Sequence, residues 1–232
     1  MLNVAQINRS PMPTALRKVD CVLFDLDGTL IDTVDLIHRS FDYAVTRVLD
    51  RKLTKEELLR NMGRPLAVQM RVFSPAKAEE LLNAYNDHNL AEHDKNISAY
   101  PGAAVTLRRL RADRRVGLGI VTSKKRDLCL RGLELTKLLD FFEIIVAMED
   151  TIRHKPEPEP VLTALRALGK EPERTVFVGD SPFDIAAGKS AGTITAAALW
   201  GPFAVKTLRE AGPDFEVRSF SELYALLARE PA

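Results

Sequence analysis

Two aspartates one residue apart, Asp25 and Asp27, close the short apolar run Cys21-Val22-Leu23-Phe24 and lead into a Gly28-Thr29 turn. Residues two apart in extended chain face the same side, so both carboxylates can address one site. Two charges about 4 Å apart repel by roughly 4 kcal/mol at an effective dielectric near 20. Something positive must lie between them, or one must be protonated. Asp-Gly is also ordinary turn chemistry, and taken alone the pair reads equally as a strand-end turn.

Three more stretches carry residues of the same kind. Thr122-Ser123-Lys124 follows the apolar Ile120-Val121 and sets two hydroxyls and an ammonium at the opening of a helix, whose free N–H groups can hold an anion. The plain alternative is that Ser123 caps that helix. Lys155, ahead of Pro156, follows a second apolar run; taken alone it is a solvated loop lysine. Gly179-Asp180-Ser181-Pro182-Phe183-Asp184 brings two further acids after Val176-Phe177-Val178, and an N-cap accounts for one of them better than for both.

The elements that must position these residues follow from periodicity. From Tyr100 onward strand and helix patterns alternate, with strands expected at 116–121, 142–146, 175–178 and 193–198 and a short terminal unit at 215–227. Strands separated by single helices give a parallel sheet with right-handed crossovers. The fold class is therefore α/β: a Rossmann-like parallel sheet with helices on both faces. Between the first strand and Tyr100 the pattern is wholly helical, with no convincing strand; Thr54 and Glu57 form a capping box at one helix start, and Gly63-Arg64-Pro65 breaks the run. Residues 1–18 read as a mobile leader, 19–32 and 101–232 as a discontinuous core, and 33–100 as an inserted small all-α cap with hinges at 31–33 and 99–102.

In a parallel sheet all four suspicious loops fall at one edge, where open α/β sheets place their sites. Four carboxylates, a lysine and two hydroxyls there have one economical explanation. The acids hold a hard cation, and Mg2+ takes one or two carboxylates together with waters and phosphate oxygens. Thr122 and Lys155 then hold the oxygens of a phosphoryl group. No cysteine or histidine offers a soft ligand, which argues against zinc.

Asp25-x-Asp27-Gly28-Thr29, the strand-end Thr122, Lys155-Pro156 and Gly179-Asp180-x-x-x-Asp184 resemble, in order and spacing, the four motifs of the haloacid dehalogenase superfamily, and the helical insert resembles its first cap class. The resemblance implies that Asp25 is a nucleophile forming an aspartyl phosphate and that Asp27 is the general acid and base. It implies that Thr122, with the backbone around Ser123, binds the phosphoryl group and that Lys155 offsets its charge. Asp25, Asp180 and the carbonyl of Asp27 would ligate Mg2+, with Asp184 in direct contact or just behind. The stretches Asp35–Phe41, Gly63–Leu66, His88–Asp94 and Pro156–Val161 also resemble the inorganic pyrophosphatase branch of that superfamily, with phosphoglycolate phosphatases as neighbours. That implies a small anionic phosphate as substrate: pyrophosphate first, phosphoglycolate second, then a sugar phosphate handled by a phosphatase or a β-phosphoglucomutase-like phosphotransferase. Arg64, a cation in the cap loop, is the candidate reader of a second anionic group; the plain alternative is a solvated arginine. His88, His93 and Asp94 read as surface or satisfied polar residues.

Composition bounds the partners. A formal net charge of +1 over 232 residues offers no basic surplus for nucleic acid, and no apolar run approaches the roughly 20 residues of a membrane span. Cys21 and Cys129 lie far apart without metal-ligand spacing and read as buried reduced thiols in a cytoplasmic protein. Apolar positions on the cap helices suit internal packing or a partner, so monomer and homodimer are both compatible with the sequence.

Overall fold

The computed structural model describes residues 18–112 and 116–228. The expected leader therefore lies, but for Lys18, outside the described residues. Six parallel strands form one sheet: β1 (Cys21–Phe24), β4 (Gly117–Val121), β5 (Ile144–Val146), β6 (Thr175–Gly179), β7 (Ile194–Ala198) and β8 (Phe215–Val217), in the order β5-β4-β1-β6-β7-β8. Leu23 stands opposite both Gly119 and Phe177, which fixes the register on the two sides of β1. Pleating divides β1 between two cores: Val22 and Phe24 enter one apolar cluster, Cys21 and Leu23 the other.

The first cluster is closed by α5 (Ala103–Ala112), α6 (Arg126–Leu135) and α10 (Phe220–Leu227) through Leu107, Leu110, Cys129, Leu133, Phe220 and Leu223. The second is closed by α7 (Glu159–Leu168) and α8 (Pro182–Ala191) through Val161, Leu165 and Ala187. Helices on both faces explain why β1, β4 and β6 are buried throughout and read as continuous apolar runs. A further helix, α9 (Val205–Glu210), precedes β8. Burial pushes the Cys21 and Cys129 thiols up to about 12, so both are inert core groups. No described helix is long and apolar enough to cross a membrane.

Between β1 and α5 lie α1 (Val34–Leu49), α2 (Lys55–Asn61), α3 (Leu66–Phe73) and α4 (Ala78–Glu92). They close on their own cluster, in which Phe41 meets the Tyr85 ring edge-on at 4.8 Å and the Phe73 ring at 5.7 Å. The capping box expected at Thr54 and Glu57 is present. The expectation of a strand-free helical stretch is corrected at its end. Ser98–Ala99 form a two-residue strand, β3, antiparallel to β2 (Ile31–Asp32), with Ile31 opposite Ala99. The two points where the chain enters and leaves the helical insert are thus laddered together. Tyr100 N–H donates to Leu30 O at 3.0 Å and extends the pairing.

Candidate active site

The strand order changes direction at β1, whose neighbours β4 and β6 are followed by connections leaving to opposite sides. That leaves a crevice at the carboxyl ends of the strands. Asp25 is the first residue past β1 and is anchored by its N–H to Val178 O at 2.9 Å. The chain then turns tightly through Gly28, at φ +83°, where a Cβ would come within 2.6 Å of Asp180 Oδ2. Only glycine allows that turn and that approach. Thr29 Oγ1, carried round by the same turn, donates to Asp180 Oδ1 at 2.6 Å.

Asp25, Asp180 and Asp184 are all buried, and each offers an oxygen within 4.8 Å of the others. Lys155 lodges among them, 2% exposed, with Nζ 2.9 Å from Asp25 and 2.6 Å from Asp184. It is no solvated loop residue. Burial pushes the Asp25 carboxyl up to about 7 against the pull of Lys155, and Asp184 adds to the rise. Burial, then Asp184 and Asp25, raise Asp180 well above the usual carboxylate range. Burial lowers the Lys155 ammonium, but Asp184 and Asp25 outweigh it and hold the group above its ordinary value. One lysine against three buried acids leaves an excess of negative charge in an all-oxygen donor set. A hard divalent cation fits that imbalance, and the residues present fit such an ion.

Asp184 has another task as well. Its Oδ2 accepts from Ser181 N–H at 3.0 Å and Ser181 Oγ–H at 2.6 Å, while its Oδ1 faces Lys155. Ser181 is the N-cap of α8 and Asp184 its capping-box partner, so the plain alternative of an acid as the cap does not hold. Both Asp184 oxygens are committed to protein donors, whereas Asp180 has a single one among the described residues, Thr29.

The two acids of the first motif do not share a counter-ion. Asp25 takes Lys155; Asp27 takes Lys124, whose Nζ lies 2.9 and 3.2 Å from its two oxygens, and also accepts from Thr33 Oγ1 at 2.9 Å. Lys124 and Thr33 went unassigned in the sequence. An ammonium at a strand end was the available signal for the first, and a hydroxyl at a helix start for the second.

Thr122 is buried at the end of β4, and its Oγ1 accepts from Lys124 N–H at 3.1 Å. Ser123 does not cap α6: that helix starts at Arg126 behind Lys125, without a side-chain cap. The Ser123 hydroxyl instead donates across to Gly63 O at 2.8 Å. Arg64, next in that loop, is no solvated arginine. Its guanidinium lies 4.9 Å over the Phe183 ring and its Nε is buried without a hydrogen-bond partner among the described residues. A cavity of about 160 Å³ runs from Asp25, Asp27 and Thr122 up to Arg64, under Phe41 and Tyr85. His88 is half-buried and paired with Ser40 at 3.1 Å, as a satisfied polar residue should be. His93 is fully buried and partners Asp94 through Nδ1, but its Nε2 has no partner among the described residues.

Comparison with known proteins agrees with this geometry. Residues 22–198 match the profile of the family described as haloacid dehalogenase-like hydrolase. The chain is 39% identical over 212 residues to pyrophosphatase PpaX of Bacillus pumilus, covering 91% of this chain and 98% of that one. It is 37% identical over 214 residues to pyrophosphatase PpaX of Listeria innocua, covering 92% and 98%. Among solved structures, a haloacid dehalogenase-like family hydrolase of Streptococcus pneumoniae superposes with a TM-score of 0.80 at 22% identity, covering 91% of this chain and 99% of that one, a likeness of fold.

Proposed function

The chain belongs to the haloacid dehalogenase-like hydrolase family, and from that premise we propose that it is a Mg2+-dependent phosphohydrolase that splits inorganic pyrophosphate through an aspartyl phosphate on Asp25. The observation that carries the reaction class is the lysine lodged in the buried acid cluster, Lys155 between Asp25 and Asp184. It gives the Asp25 carboxylate a cationic neighbour that Asp184 holds in place, while leaving room in charge for a cation and a phosphate. The pyrophosphatase relatives support the choice of substrate.

Asp25 attacks phosphorus, and the bond from phosphorus to the bridging oxygen breaks. Asp27 gives that oxygen its proton, then takes one from the water that attacks the acyl phosphate, freeing Asp25 and a second orthophosphate. Thr122 and the backbone at Ser123 hold the phosphoryl oxygens; the Ser123 hydroxyl is given to Gly63. Lys155 offsets charge on nucleophile and phosphate. Asp25, Asp180 and the carbonyl of Asp27 would hold Mg2+, with Asp184 behind them orienting Lys155. When bound, the ion supplies charge neutralisation for the transferring group. Together these groups must lower a barrier by on the order of 20 kcal/mol.

On this reading residues 33–100 are a cap that closes over the site about 31–33 and 99–102, with Arg64 facing the second anionic group. We place the reaction in the cytoplasm, where two buried, unpaired thiols are at home. The test is phosphate release with Mg2+ across pyrophosphate, phosphoglycolate, hexose phosphates and an aryl phosphate. Pyrophosphate should lead the panel, a chelator should abolish turnover, and Asp25→Asn should remove it while the circular dichroism spectrum stays unchanged. A preference for phosphoglycolate would overturn the substrate; an active Asp25→Asn would overturn the covalent mechanism.

A further inference from the structure

We propose that Lys124 reads negative charge on the leaving side of the scissile bond, so that the site favours phosphates whose leaving group is itself an anion. The inference rests on the phosphohydrolase reading and adds a residue that it does not use.

The groups around the cavity fall into two sets of opposite net charge. In one, Lys155 faces three acids, Asp25, Asp180 and Asp184, an excess that suits a cation. In the other, Arg64, Lys124 and Lys125 line the same cavity with Asp27. Among the described residues neither Arg64 nor Lys125 has an acidic partner, and Lys124 has only Asp27. Three cations against one acid is an excess that suits a second anion.

Of the three, Lys124 holds the decisive position. Its side chain is 10% exposed, and Nζ sits astride the two oxygens of Asp27. Asp27 is the group that must meet the leaving oxygen, so whatever grips Asp27 stands beside the leaving group. An ammonium has three donors; two are spent on Asp27 and one remains for an incoming oxygen. The long stem lets the charge shift towards that oxygen without breaking from Asp27. Ile37, Phe41 and Leu128 line the chamber around it, and such apolar walls strengthen a charge contact beyond its value in water. Arg64, by contrast, is stacked on Phe183, and Lys125 is exposed.

The experiment compares kcat/KM for pyrophosphate, which carries negative charge on the leaving side before the bond breaks, with that for 4-nitrophenyl phosphate, whose leaving side is neutral until it does. Wild type, Lys124→Met and Lys124→Arg are measured side by side. Loss from imperfect folding cancels in the ratio. Loss from a disturbed Asp27 does not, because 4-nitrophenolate leaves without its proton. The same ratio is therefore also taken against glucose 6-phosphate, whose uncharged leaving group needs that proton, and both ratios must fall together. A hydrogen bond to a charged group is worth enough that Lys124→Met should lower the pyrophosphate-to-aryl ratio about 10- to 100-fold, and Lys124→Arg should restore most of it. An unchanged ratio overturns the inference and leaves the phosphohydrolase reading standing. So does a wild type that cleaves the aryl ester but neither pyrophosphate nor phosphoglycolate. A wild type active on no phosphate overturns the proposed function, and this inference with it.

Discussion

At the scale of single residues the site is a set of divided charges. Lys155 serves Asp25 and Asp184, Lys124 serves Asp27, and among the described residues Asp180 keeps only the Thr29 hydroxyl. Without a cation the cluster costs stability, and the cost grows with pH. The Asp25 carboxyl is raised from an ordinary 3.8 to about 7, so between those values the folded chain binds a proton that the unfolded chain has released. The stability due to this group is fully present below the unfolded value and is lost as pH rises through the folded one. Asp180 moves in the same direction. A divalent ion takes the place of those protons and stabilises the folded state by mass action. The gap in Tm between Mg2+-loaded and chelated protein should therefore widen from about pH 5 to about pH 8. A gap that stays constant over that range would show that the acids are not the ion's ligands.

At the scale of elements the decisive piece is the loop between α2 and α3. Gly63 lends its carbonyl to Ser123 and sits at φ +101°, where a Cβ would meet Ser181 Oγ at 3.1 Å and Phe183 Cδ2 at 3.2 Å. Arg64 lies over Phe183, and Met62 packs with Ile185 and Phe203. One four-residue loop thus touches the segments that follow both β4 and β6. A β-branched residue at that φ is strained by roughly 1–2 kcal/mol, and the contact atoms add to it. Since 1.4 kcal/mol is tenfold in affinity, Gly63→Val should lower kcat/KM for pyrophosphate about tenfold, chiefly through KM. An unaltered KM would mean that this loop does not dock on the core during turnover.

At the scale of the whole molecule the chain is divided by its crossings. The helical insert closes on its own cluster around Phe41, Met70 and Leu81, and β2 pairs with β3 where the chain enters and leaves it. Two short laddered strands can bend together without opening either core, which suits closure over a substrate. Cleavage by a protease at 31–33 and 99–102 should slow when Mg2+ and a phosphate analogue such as vanadate are added together. Equal cleavage with and without them would remove the closing motion from the proposed function.

How much of this was legible in the sequence depended on how local each feature is. The alternation of strand and helix after Tyr100 showed because each element carries its own period, and buried parallel strands such as Leu118–Val121 read as apolar runs. The acids, Lys155 and Thr122 showed because a parallel sheet puts every strand's carboxyl end at one edge, so their place in the fold followed from their place after a strand. The β2–β3 ladder did not show: two residues a side are too few to display an alternation. Nor did the hydroxyl of Ser123 reaching Gly63, the stacking of Arg64 on Phe183, or the grip of Lys124 on Asp27. Those contacts join groups some 60 to 119 positions apart. Sequence set which residue types arrive at the edge; only the tertiary packing of the loops that leave β1, β4, β5 and β6 decided which cation meets which acid, because that depends on how segments far apart in the chain come to lie side by side.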